Sequence, residues 1–92
     1  MRENAFEQFL LADGISSSAA AKCRVIRGRK AEAILNRSLD TIVSDDDTMF
    51  EALQTLQNYD DAAHSPMQNA LRKYYKFANG REFPKMRYYR KS

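Results

Sequence analysis

Tryptophan is absent from this chain, and cysteine and histidine occur once each, as Cys23 and His64. A single cysteine cannot close an intrachain disulfide, which suits a reducing, cytoplasmic setting. One cysteine and one histidine fall short of the four ligands a structural zinc site needs. Glycine is scarce: Gly14, Gly28 and Gly80 lie too far apart to form a phosphate-cradling loop. Two prolines and few β-branched runs leave little to break helices. No apolar run approaches the roughly 18 residues of a membrane span. The opening stretch carries too many acids and too short an apolar segment for a signal peptide.

What remains is a chain of 92 residues, 43% of them hydrophobic, enough for one domain with a modest core. Its net charge of +3 conceals a block pattern. Residues 22–37 hold six Lys/Arg against Glu32 alone, residues 40–61 hold seven acids and no Lys/Arg, and residues 72–91 hold eight Lys/Arg against Glu82 alone. A fold that brings the basic blocks to one side presents a surface for polyanions, above all nucleic acid.

Hydrophobic periodicity predicts an all-α chain of four helices. The first covers about Glu3–Asp13, with Phe6, Phe9 and Leu10 on one face and Gly14 as a left-handed end. The second covers about Ser17–Arg37, capped by Ser16 or Ser17, with Ala19, Cys23, Ile26, Ala33 and Ile34 as its apolar arc. Lys30 interrupts that arc, and Gly28 marks a kink or a close contact. A linker, Ser38–Asp45, is stapled by Leu39 and Ile42. The third helix, about Asp46–Tyr59, starts with acids that suit the macrodipole, and Ser44 and Asp47 fit a capping box. The fourth, Pro66–Asn79, has Ser65 as its cap, Pro66 at its first position and Gly80 past its end. It is the cleanest amphipathic segment, with Asn69, Arg72, Lys73 and Lys76 opposite its apolar side. Residues 1–80 thus form the domain and 81–92 a basic, aromatic tail.

In order and spacing these segments resemble the N-terminal core-binding domain of tyrosine recombinases, the phage-type integrases. The similarity rests on Phe6-x-x-Phe9-Leu10, the Gly14-Ile15-Ser16 turn, Leu39-x-x-Ile42-Val43-Ser44, and Ala70-Leu71-Arg72-Lys73-Tyr74-Tyr75-Lys76-Phe77. The family's usual Thr and Tyr in the second helix are replaced here by Ala19 and Cys23. The resemblance implies a compact four-helix SAM-like bundle that clamps duplex DNA with its second and fourth helices. It also implies a setting in phage or mobile-element recombination. The chain has no room after the fourth helix for the family's catalytic set, so an enzyme is not expected.

The expected DNA contacts are Lys22, Arg24, Arg27 and Lys30 on the second helix and Asn69, Arg72, Lys73 and Lys76 on the fourth. Arg81 and Lys85 join them from the tail, which suits a groove-tracking arm, a linker to a further domain or a docking segment. Lysine and arginine supply the phosphate term; asparagine and arginine can read base edges. Cys23 is expected as a buried small hydrophobe and His64 as a loop residue. An EF-hand loop beginning at Asp45 fails, because Phe50 and Leu56 stand where glycine and glutamate are needed. No cofactor or metal is expected. The rival function is a protein-interaction module, either an adaptor or a small phage protein inhibiting a host nucleic-acid enzyme. Its acidic 40–61 segment would meet a basic partner or a second copy.

Overall fold

The computed structural model describes residues 1–61 and 63–91, which form five α-helices and a final 3-10 turn. They are α1 (Glu3–Ala12), α2 (Ser18–Leu35), α3 (Leu39–Val43), α4 (Asp46–Leu56) and α5 (Pro66–Asn79), with the 3-10 turn at Met86–Tyr88. The all-α bundle expected from periodicity is present, and α5 has the expected bounds. No helix among the described residues is long and apolar enough to cross a membrane.

Local chemistry explains most boundaries. Gly14, at φ +91°, ends α1: the Ile15 N–H reaches back to the Leu10 carbonyl at 3.2 Å and the Asp13 N–H to Phe9 at 2.8 Å. Ser17 caps α2 by accepting the Ala20 N–H, and Asn36 leaves it in the left-handed region. Segment 38–45 is more than a linker. Ser38 accepts the Thr41 N–H, and Leu39, Ile42 and Val43 are buried as α3. Five residues are too few for a periodic signal, so the helix was not visible in the pattern.

Two expected caps are replaced. The residue capping α4 is Asp45, whose carboxylate accepts both the backbone N–H and the hydroxyl of Thr48, so Ser44 and Asp47 form no capping box. Ser65 adopts φ +47° and its hydroxyl caps nothing. Asp60 does that work from five residues upstream, accepting the N–H groups of Met67 and Gln68, each at 2.9 Å. A carboxylate at a helix N-terminus gains from both the free N–H groups and the dipole.

α5 packs against all four other helices, most extensively against α2. Its buried residues are Met67, Ala70, Leu71, Tyr74 and Tyr75. Phe6 meets Tyr74 edge-on at 4.9 Å between centroids, and Phe77 joins Phe6, Phe9 and Tyr74 in one aromatic cluster. α2 buries Ala21, Val25, Gly28 and Ala31. This corrects the expected arc: Ala19, Cys23, Ile26 and Ala33 face outward, with Ile26 46% exposed. Small residues let α2 approach its neighbours closely. A Cβ on Gly28 would lie 2.8 Å from the Met1 methyl and 3.3 Å from Leu39, so Gly28 marks a close contact. Lys30 therefore needs no snorkelling, because it stands on the open face.

The tail also folds back. Phe83 is buried, meeting Tyr75 at 5.2 Å and Tyr89 at 5.1 Å, and Tyr89 stacks on Phe50 at 5.2 Å. Ser92 lies outside the described residues.

The caps yield a direct test by urea unfolding. Asp60→Ala is expected to cost about 1 kcal/mol. Ser65→Ala should stay within about 0.5 kcal/mol of the unmodified chain. Equal losses from the two variants would contradict the assignment of Asp60 as the cap.

Candidate nucleic-acid interface

The packing of α2 on α5 brings Arg24 beside Asn69, Arg72, Lys73 and Lys76 in one groove, walled on the tail side by Glu82 and Phe83. The depression continues along α2, where Arg24 and Arg27 face His64, Pro66 and Asn69. Six of the ten expected contact residues therefore share a continuous surface. The other four do not join it. Lys22 lines a separate cleft against α1, beside Glu3, Glu7 and Arg29. It lies two residues before Arg24, which turns it to the far side of the helix. Lys30 stands on the outer face of α2 and Lys85 is exposed on the tail, neither in the groove. Arg81 is drawn to the start of α4, 3.4 Å from Asp46, with its guanidinium over the Tyr75 ring.

The groove cations differ in how free they are. Arg72 donates to the Phe83 and Pro84 carbonyls at 3.0 and 3.2 Å and lies over the Phe83 ring. Burial lowers its pKa, with Glu82 opposing, and a guanidinium stays charged at neutral pH. Arg72 thus ties the tail to α5 besides contributing charge. Lys73 and Lys76 both reach the Asp13 carboxylate, at 3.0 and 3.1 Å. Arg24 and Arg27 have no carboxylate partner among the described residues.

The acidic block is engaged within the chain. Asp40 receives Arg2 and the Tyr74 hydroxyl, Asp46 receives Tyr75 and Arg81, Asp47 receives Tyr89, and Glu51 receives Lys91. Asp45 and Asp60 cap helices, and Asp61 accepts from His64 and the Ala63 N–H. All seven acids of 40–61 therefore have an internal partner. The folded surface is more cationic in its unpaired groups than the block counts suggest.

Cys23 is exposed rather than buried, a consequence of the rotation of α2. It lines the same depression as His64, whose Nδ1 lies 2.6 Å from Asp61 instead of meeting the thiol. No group of three or more metal-ligating side chains occurs among the described residues. Asp13, Phe83 and Asp60 are the contributors that sequence reasoning missed. Asp13 meets its lysines across 60 residues of chain, and no local pattern signals that.

The contacts of the tail and α5 predict alkaline behaviour. Burial and the Asp46 carboxylate raise Tyr75 to about 12. The bond to Asp47 raises Tyr89, and burial with Asp40 raises Tyr74. Folded values above the ordinary 10.0 mean that these contacts contribute fully below pH 10 and are lost as pH rises through the folded values. Tyrosinate absorbance should show a late fraction that ionises together with loss of helical circular dichroism and shrinks in Tyr75→Phe. Ionisation of these three near pH 10 with the helices intact would contradict the assigned contacts. No family model, curated protein or solved structure matches this chain.

Proposed function

We propose that this protein binds duplex DNA without catalysis, through the groove formed by α2 and α5. The observation that carries the reading is the convergence of Arg24, Asn69, Arg72, Lys73 and Lys76 from two helices onto one surface. Cations on a rigid two-helix platform track a phosphate backbone, and Asn69, exposed at the junction of both depressions, suits a base edge. The resemblance to the core-binding domain of tyrosine recombinases points to the same two helices, its second and fourth being α2 and α5 here. On that reading the chain serves phage or mobile-element recombination.

One feature favours a protein-interaction module instead: the outer face of α2 leaves Ile26 exposed beside Ala19, Cys23 and Ala33. The acidic 40–61 segment supports that reading less, since its carboxylates already have partners within the chain.

Binding of a labelled duplex across a salt series tests the DNA reading. Affinity should fall steeply with salt, with a logarithmic slope of about −0.9 for each phosphate neutralised. Arg24→Ala with Arg27→Ala should weaken binding and flatten the slope by about one unit per lost contact. These two are cleaner probes than Arg72, whose loss would also release the tail carbonyls. Failure to bind at low salt, or an unchanged slope in the double variant, would reject the proposal.

A further inference from the structure

Asp13 sits where an anion is least expected. It follows the last residue of α1, at the negative end of the helix dipole, where a carboxylate is disfavoured. Its position is fixed by the Asp13 N–H bond to Phe9 and the left-handed Gly14 behind it. From there its carboxylate bridges both lysines of α5, which line the groove. Oδ2 lies 3.0 Å from Lys73 Nζ, while Oδ1 and Oδ2 lie 3.1 and 3.3 Å from Lys76 Nζ. The two lysines hold the carboxyl below the usual carboxylate range against a smaller opposing effect of burial, so it is ionised at neutral pH.

Two ammonium groups bracketing one carboxylate form a seat for an oxyanion. A phosphodiester presents the same charge on two non-bridging oxygens. We infer that Asp13 occupies a phosphate position and acts as an internal competitor that sets the affinity of the α2–α5 groove for the nucleic-acid backbone. This rests on the DNA-binding reading and adds to it a residue that opposes binding. For Lys73 and Lys76 to neutralise a phosphate they must leave Asp13, which then remains close to the incoming charge. Arg24 and Arg27, without a carboxylate partner among the described residues, engage the backbone first. The lysines contribute only where the duplex displaces Asp13.

The test compares Asp13→Asn and Asp13→Ser with the unmodified chain, using a labelled duplex at about 0.1 M monovalent salt and circular dichroism to confirm the fold. Both variants should bind about three- to tenfold tighter, with a salt slope steeper by about one unit. Lys73→Ala with Lys76→Ala in the Asp13→Asn background should cancel that gain, which identifies the freed lysines as its source. Glu7→Gln changes the net charge equally but lies in the α1–α2 cleft, and should change affinity less than twofold, roughly the limit for a remote charge. In the unmodified chain, adding duplex should shift the Asp13 carboxyl resonance together with the two lysine ammonium resonances. Asp13 variants that bind no tighter, while Arg24→Ala with Arg27→Ala still weakens binding, would overturn the inference and leave the DNA reading standing. An equal gain from Glu7→Gln would overturn it as well. Absence of binding by the unmodified chain and the Asp13 variants at low salt would reject the DNA reading itself.

Discussion

The division of α5 into one buried and one cationic face is the constraint on which the rest of the structure depends. The helix packs on all four others, so its apolar residues are shared by every interface of the bundle. Tyr74 and Tyr75 do this most economically. Both rings are fully buried, yet each hydroxyl reaches a carboxylate, Asp40 at 2.6 Å and Asp46 at 2.7 Å. A buried tyrosine needs such a partner, because an unsatisfied hydroxyl in the core costs about 1–3 kcal/mol. The partners are the acids at the starts of α3 and α4, so two adjacent side chains anchor both helices to α5. With that face committed, Asn69, Arg72, Lys73 and Lys76 have one direction left, toward α2 and solvent.

Charge is arranged by the same geometry. The acidic block does not form an independent negative lobe. Its members cap helices, accept from tyrosine hydroxyls or His64, or pair with the tail, where Asp46 meets Arg81 and Glu51 meets Lys91 on the side of α4. Arg24 and Arg27 have no such counterpart among the described residues. The resulting asymmetry is sharper than a net +3 implies, and it faces one groove. Two acids offset part of that charge: Glu82 on the groove wall and Asp13, which pairs with Lys73 and Lys76.

How far the sequence could be read varied with the kind of residue carrying the signal. α5 was legible to the residue, because large apolar side chains recur at helical spacing and Pro66 and Gly80 mark its ends. The start of α4 and the Gly14 turn were legible for similar reasons. The facing of α2 was not. Its buried stripe consists of Ala21, Val25, Gly28 and Ala31, whereas Ile26 and Cys23, more hydrophobic by type, stand on the solvent side. Alanine occurs on both faces and carries no directional information. The helix is oriented by how closely small residues allow it to approach Met1 and Leu39.

The sequence by itself determined that the chain is helical, where its strongest helices begin and end, and which residues form the cationic face of α5. Those properties depend on contacts within a few residues, where periodicity and capping act. Tertiary structure alone decided that Arg24 and Arg27 join that face while Lys30 does not, and that the tail docks on α4. It also decided that Asp60 caps α5 and that Asp13 bridges Lys73 and Lys76. Most of these outcomes depend on which helices lie side by side, set by steric fit and by pairing between distant charges, and the order of residues along the chain carries no direct mark of either.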